Sequence, residues 1–169
     1  MRGPVLRDER AADRSAIGHV IEAAFAGHPH SDGSEARIVE DLRASGALAV
    51  SLVAVEGGEI VGHVAFSAVQ IGAESPGWFA LGPLAVVPEH QGEGIGIALV
   101  KAGLARLVVS GARGCTLVGD PGYYARFGFA HDPGVTCRGI PPEFVLIRAF
   151  ERSAPAGAIR HHPAFGLDP

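Results

Sequence analysis

The stretch VVPEHQGEGIG, Val86–Gly96, sets a proline and three glycines directly behind an apolar run, WFALGPLAVV, that reads as a β-strand. Glycine loses more backbone freedom on folding than any other residue, so such a density needs a reason. Downstream, Ile97, Val100, Leu104, Leu107 and Val108 recur at helical spacing and predict a helix with those side chains facing inward. A strand that passes through Pro88 into a glycine turn and then a helix leaves several N–H groups without partners at the helix start. Those groups and the helix dipole favour an anion, most naturally a phosphate or pyrophosphate. Residues without a Cβ let that anion approach the backbone. The same glycines would also serve a plain tight connection, and the pattern alone leaves both readings open.

Three phosphate-binding motifs compete for the turn. A P-loop needs Lys and then Ser or Thr after its second glycine, and GEGIGIAL has neither. A dinucleotide fingerprint needs a small residue at its sixth position, which is Ile97 counted from Gly92 and Leu99 counted from Gly94. That reading is poor, although Asp120 stands at the end of the next strand, where a ribose ligand would be. The third is the motif of a family named below.

Outward from the turn, PVLRDE reads as a short strand. Asp13 can cap a helix carrying Ile17, Val20, Ile21, Ala24 and Phe25 on one face. HPHSDG breaks it, and Ser34 starts a second helix with Ile38, Val39 and Leu42 that ends at Gly46. ALAVSLVAV, EGGE and IVGHVAFSAVQI form a strand–turn–strand hairpin, followed by a loop around Ser75, Pro76 and Gly77. GCTLVG is a short buried strand. Asp120 followed by Pro121 is an N-cap signal for a short helix holding Tyr123 to Arg126, and EFVLIRAF reads as the last strand. The segment 151–169 reads as mostly irregular. This order predicts an α/β (α+β) mixed sheet, with helices on both faces, in a single domain spanning 1–169.

Composition narrows the function classes. The 169 residues are 47% hydrophobic and 19% charged, with a formal net charge of −4 and no basic block, which argues against nucleic acid as a partner. The charged N-terminus MRGPVLRDER lacks the apolar segment of a secretory signal, and ALAVSLVAV is too short to span a membrane. Cys115 and Cys137 are then expected to be reduced thiols, and the cytoplasm is the expected compartment. His161 and His162 with the scattered cysteines lack metal-ligand spacing, so no metal is expected.

VVPEHQGEGIG resembles the Q/R-x-x-G-x-G/A acetyl-CoA motif of the GNAT N-acetyltransferase superfamily, with Val86, Pro88, Gln91, Gly92, Gly94 and Gly96 at matching positions. YYARFGF is similar to that superfamily's aromatic-Tyr-x-Lys/Arg-x-Gly-Phe signature, with Tyr124, Arg126, Gly128 and Phe129 in register. GDPGYYARFGF, IVGHVAFS and RHHPAF further resemble its YhbS-like branch. The resemblance implies a GNAT-like fold with a central, largely antiparallel sheet of about six to seven strands splayed in the middle. It implies an acetyl-CoA-dependent N-acetyltransferase acting directly on an amine-bearing acceptor, and it is compatible with a homodimer. By position, the backbone of Gln91, Gly92, Glu93, Gly94, Ile95 and Gly96 would take the CoA pyrophosphate. Leu84, Ala85 and Val86 would take the pantetheine arm and acetyl carbonyl, with Pro83 suited to a strand parting from its neighbour. Tyr124 matches the tyrosine that protonates the departing thiolate, with Tyr123 as the alternative. Many relatives carry an Asn shortly before that tyrosine, and Leu117–Pro121 contains none. His63 and Glu35 are the nameable candidates for a base, and Lys101 and Arg106 for the CoA 3′-phosphate; each also has a purely structural reading. A covalent route through either cysteine has no Cys–His context to support it. A CoA-binding module without turnover and a dinucleotide-dependent oxidoreductase are the competing functions.

Overall fold

In the computed structural model, which describes residues 3–73, 76–151 and 154–167, the glycine turn sits between the fourth strand and the longest helix. Strand β1 (Val5–Asp8) leads through a short 3₁₀ turn into α1 (Arg14–Phe25) and α2 (Glu35–Ala44). The hairpin β2 (Leu48–Glu56) and β3 (Glu59–Ile71) follows, then β4 (Trp78–Val86), α3 (Ile95–Val109) and β5 (Gly114–Val118). A one-turn helix α4 (Pro121–Tyr124) precedes β6 (Ala130–His131), β7 (Val135–Thr136), β8 (Val145–Ala149) and β9 (Gly157–Arg160). The sheet runs β1-β2-β3-β4-β5-β8-β6, with β9 paired to β3 and β7 at one end. Along that path only β4 and β5 are parallel, because the crossover through α3 brings the chain back in the same direction.

Alternation along the hairpin divides the core between two helical layers. Leu52, Ala54, Val64 and Phe66 join Leu99, Val100, Leu104 and Leu107 of α3. Val53 and Ala65 turn the other way, onto Ile17, Val20 and Ile21 of α1 and Val39 of α2. A sheet covered on both faces explains why β2 and β3 read as nearly continuous apolar runs. The layer on the α3 side is close: a Cβ on Gly103 would stand 2.1 Å from Phe66 Cε1.

Several local expectations change. Asp13 does not cap α1 with its side chain. Its carboxylate instead accepts from the Arg10 N–H and from the Arg7 guanidinium, tying β1 to the turn before the helix. Ser34 likewise makes no capping bond, since its hydroxyl donates to Asp32. Val108 is half exposed rather than inward. Each step of i+4 along a helix drifts about 40°, so Val108, one step on from the buried Leu104, turns away from the core. Asp120 does cap as expected, accepting from the Gly122 N–H at 2.9 Å with Pro121 behind it. Pro76 and Gly77 form a turn, while Ser75 lies outside the described residues.

The C-terminal segment is not irregular throughout. β9 pairs Arg160 with Gln70 and Ile159 with Ile71, extending the end of β3 past its ladder with β4. GAIR has no alternation to announce a strand, and its β3 partner lies some 90 residues away. A Cβ on Gly157 would meet the Gly72 Cα at 2.6 Å.

Replacing Gly103 with Ala forces a methyl group into the Phe66 ring, and α3 or the ring must move. Overpacking of this kind costs about 1–3 kcal/mol. Gly103→Ala should therefore lower the denaturation midpoint in urea at an unchanged m-value. A midpoint equal to that of the parent protein would show that the layer has slack.

Candidate active site

The site begins where β4 leaves β5. Their parallel ladder joins Trp78 to Gly114, Phe79 to Cys115 and Ala80 to Thr116, and ends there. From Leu81 onward β4 pairs only with β3 among the described residues, and the register slips between Val64/Leu84 and Phe66/Leu81, a bulge that contains Pro83. A residue without an N–H fits such a bulge. The Val87 N–H donates to Val61 O at 3.0 Å, so Val87 and, two residues back, Ala85 present their main chain to β3. Leu84 and Val86 therefore turn theirs the opposite way, into the gap. The side chain of Gln91 confirms that direction for Val86, donating from Nε2 to its carbonyl at 2.9 Å.

The turn then swings this open edge onto the start of α3. Gly92 has φ +81° and Gly94 φ +85°, left-handed values that side chains disfavour, with open space around both. Ala98 makes the first intrahelical bond, to Gly94 O, which leaves the N–H groups of Ile95, Gly96 and Ile97 without helical partners. A cleft of about 440 Å³ joins these donors to the side chains of Leu84, Val86, His90, Tyr123 and Arg126. One cavity is thus lined by both the strand's free edge and the helix's N-terminus.

Not every expected residue points there with its side chain. Ala85 is buried in the α1 layer with its main chain turned to β3, so it offers the cleft nothing, while Ile95 is buried in the α3 layer and has only backbone to offer. Gln91 spends its side chain on Val86. Glu93 faces His90, with 3.0 Å between Oε1 and Nδ1.

The two tyrosines separate in depth. Tyr123 lines the cleft, and its hydroxyl lies 3.2 Å from where a Cβ on Gly96 would stand. Arg126 stacks over its ring at 4.6 Å and donates from Nε to its carbonyl. Tyr124 lies deeper, edge-on to Tyr123 and Phe129, against Gly119 just past the end of β5. Burial, followed by the neighbouring Tyr123 and Cys115, pushes its phenol up to about 12. Burial also raises Tyr123. Both therefore hold their protons at neutral pH and can donate them. Cys115 is wholly buried and its thiol is pushed far up by that burial, which removes the thiolate a covalent route would need.

The remaining candidates fall elsewhere. Arg106 pairs with Asp8 of β1 at 2.7 Å, so its charge is engaged away from the turn. Lys101 lines a separate groove with Arg126 and Arg148. His161 stacks on Phe165, and His162 accepts from the Ala164 N–H. Glu35 accepts from Ser31 Oγ at 2.6 Å and braces the loop before α2.

His63 belongs to a network that sequence reading did not assemble. It is fully buried on the α1 face, opposite Ala85, with Nε2 2.8 Å from Ser51 Oγ. Ser51 in turn donates to Glu9, which Arg43 holds with two hydrogen bonds of 2.7 and 2.9 Å. A hydroxyl has one hydrogen and here it goes to the carboxylate, so His63 Nε2 must donate and the neutral ring leaves Nδ1 bare. Nδ1 is buried with no hydrogen-bond partner among the described residues. Burial pushes His63 down to about 4, with Glu9 opposing and Arg43 assisting. Four residues, from the turn just after β1 and from α2, β2 and β3, make this network, so no local motif signals it.

Residues 48–131 match the family model described as an acetyltransferase (GNAT) domain. Over 126 residues the chain is 37% identical to the uncharacterized N-acetyltransferase YhbS of Escherichia coli (strain K12), covering 74% of this chain and 72% of that one. A GNAT family acetyltransferase from Brucella melitensis, solved in complex with acetyl-CoA, superposes with a TM-score of 0.87 at 44% identity, over 98% of this chain and 99% of that one. Escherichia coli YhbS in complex with CoA superposes with a TM-score of 0.90 at 29% identity, over 98% and 93%.

The His63 network has a pH signature. Unfolded, the ring protonates near its ordinary 6.5; folded, near 4. As pH falls below 6.5 the unfolded chain takes the proton first, so stability declines toward pH 4, by about 3 kcal/mol in all. His63→Gln keeps a donor for Ser51 and removes the titration. Its chemical-denaturation stability should change less between pH 6.5 and 5 than that of the parent protein, and parallel profiles would show that His63 does not set the slope.

Proposed function

Because the chain belongs to the GNAT family of N-acetyltransferases, we propose that it transfers an acetyl group from acetyl-CoA directly to a primary amine of a small molecule, peptide or protein. The single observation that carries the reading is the parting of β4 from β5 immediately before a left-handed glycine turn at a helix start. It presents strand donors and helix donors to one cavity, which fits a ligand with an amide-bearing arm and a diphosphate. The dinucleotide reading of the glycines falls with the family membership. Residues 1–169 are taken as one such domain, in support of which β9 pairs back onto β3.

Acetyl-CoA supplies the activated thioester; the chain's residues hold it and manage charge. In the proposed arrangement the N–H groups of Gly92 to Ile97 and the α3 dipole hold the diphosphate. The free main-chain edge at Leu84 and Val86 pairs with the pantetheine amides, as an added strand would. A strand N–H there stabilises the negative charge that develops on the thioester oxygen as the amine attacks. Tyr124 donates its proton to the sulfur as the carbon–sulfur bond breaks, and its raised pKa keeps that proton available at neutral pH. The shallower Tyr123, over Gly96, is the better placed of the two for the diphosphate end. An amine attacks only when neutral, so its proton must leave first. With His63 near 4, that proton is assigned to solvent rather than to the imidazole. No metal takes part in this scheme.

Saturating acetyl-CoA should raise the melting temperature by several degrees, the scale of roughly 2–4 kcal/mol of binding linkage, while NAD should do little. The reverse ranking would sink the reading. Tyr124→Phe should leave acetyl-CoA affinity near the parent value and slow single-turnover transfer to a good amine about 10²-fold or more. If Tyr123→Phe shows that loss instead, the two tyrosines exchange roles. Acetyl-CoA binding without turnover on a broad amine panel would point to a binding module.

A further inference from the structure

The turn proposed to hold a diphosphate carries the wrong charge for the task. Glu89 and Glu93 lie within it, and Glu56, at the end of β2, stands beside it. Carboxylates this close to an anion repel it, and at a surface site the repulsion is only partly screened. What offsets them is one side chain of the same turn. His90 Nδ1 lies 3.0 Å from Glu93 Oε1 and 3.1 Å from Glu56 Oε2. Ionised carboxylates offer only lone pairs, so Nδ1 facing two of them must carry the hydrogen. The same ring lines the cleft with Gln91 and Gly92, and Arg126, over the Tyr123 ring, is a second cationic side chain lining it.

We propose that His90 is a charge clamp of the diphosphate site: as a cation it pairs with Glu93 and Glu56 and adds positive charge to the cleft, and when neutral it leaves both carboxylates to repel the ligand. The inference rests on the acetyl-CoA reading above. The direction of control follows from the pairing. The hydrogen bond His90 donates to Glu93, with the charges of Glu93, Glu56 and Glu89, raises His90 above its ordinary 6.5, against the opposing effect of desolvation. The cation therefore persists to higher pH than that of a free histidine, and ligand affinity is lost as pH rises through that raised value. Neither glycine of the turn can compensate, because Gly92 and Gly94 bring only backbone.

Binding of 3′-dephospho-CoA, measured by calorimetry at low salt from pH 6 to 8.5, tests this directly. A phosphomonoester titrates near pH 6, whereas the diphosphate diester of this probe keeps a constant charge over the range. The parent protein should lose about three- to tenfold in affinity across it, and less in high salt. His90→Gln should bind weakly and almost independently of pH. Glu93→Gln should bind more tightly than the parent at pH 8.5, with a shallower profile, because one of the exposed charges is gone. Both substitutions lie on an exposed turn, and melting curves without ligand establish that each variant is folded. A flat parent profile, or a His90→Gln profile as steep as the parent's, overturns the clamp while leaving the acetyl-CoA reading intact. Absence of binding of both acetyl-CoA and the probe by the parent protein at every pH overturns the acetyl-CoA reading itself.

Discussion

Beyond Ala80, β4 has no neighbour on its β5 side among the described residues, and the candidate site is built on that gap. A sheet interior normally pairs every N–H and C=O, so an open edge in mid-sheet is tolerated only where something else can bond to it. The bulge at Pro83 helps set the opening, since a residue without an N–H cannot continue a regular ladder. The crossover through α3 then returns the chain to a parallel β5 that meets β4 at one end only. Helix and strand thereby deliver their unpaired groups to the same cavity, and a ligand that satisfies both completes the hydrogen bonding of the fold.

Such an opening demands rigidity around it. The α3 layer supplies it through the near approach of Gly103 to Phe66, and the α1 layer through Ile17, Val20 and Ile21 against Val53, Ala65 and Ala85. On that second face the chain Arg43–Glu9–Ser51–His63, half-buried at the ion pair and buried at Ser51 and His63, links the turn after β1 to α2, β2 and β3. Burial of an ion pair is weak grounds for net stability, yet breaking one partner of it is costly. The network therefore fixes how these elements meet more than it strengthens them. Because Glu9 is held ionised by Arg43 and Ser51 despite its burial, the same chain keeps a neutral, bare imidazole behind Ala85.

Electrostatics at the cleft are finely balanced. The helix dipole, Arg126 and His90 favour an anion, while Glu56, Glu89 and Glu93 oppose it. The deep tyrosine and the buried thiol both keep their protons, which leaves acid chemistry available and thiolate chemistry closed.

Much of this was legible in the residues. The glycine turn, the hairpin, the Asp120–Pro121 cap and the order of the main elements follow from local rules, because a turn, a cap or a periodic stripe depends on neighbours within a few residues. The sequence alone determined that Gln91–Gly96 would expose backbone at a helix start, since only glycine adopts the left-handed values seen at Gly92 and Gly94 without strain. It did not decide which strand residues face the gap. That depended on the β3–β4 register, which turns Leu84 and Val86 outward and Ala85 inward. Nor did it show β9, Arg106 on Asp8, or the two depths of Tyr123 and Tyr124. These depend on contacts between residues distant in the chain. Pairing at such range leaves no periodicity in either partner, so only the folded chain, with its strands in register and its layers closed, could decide it.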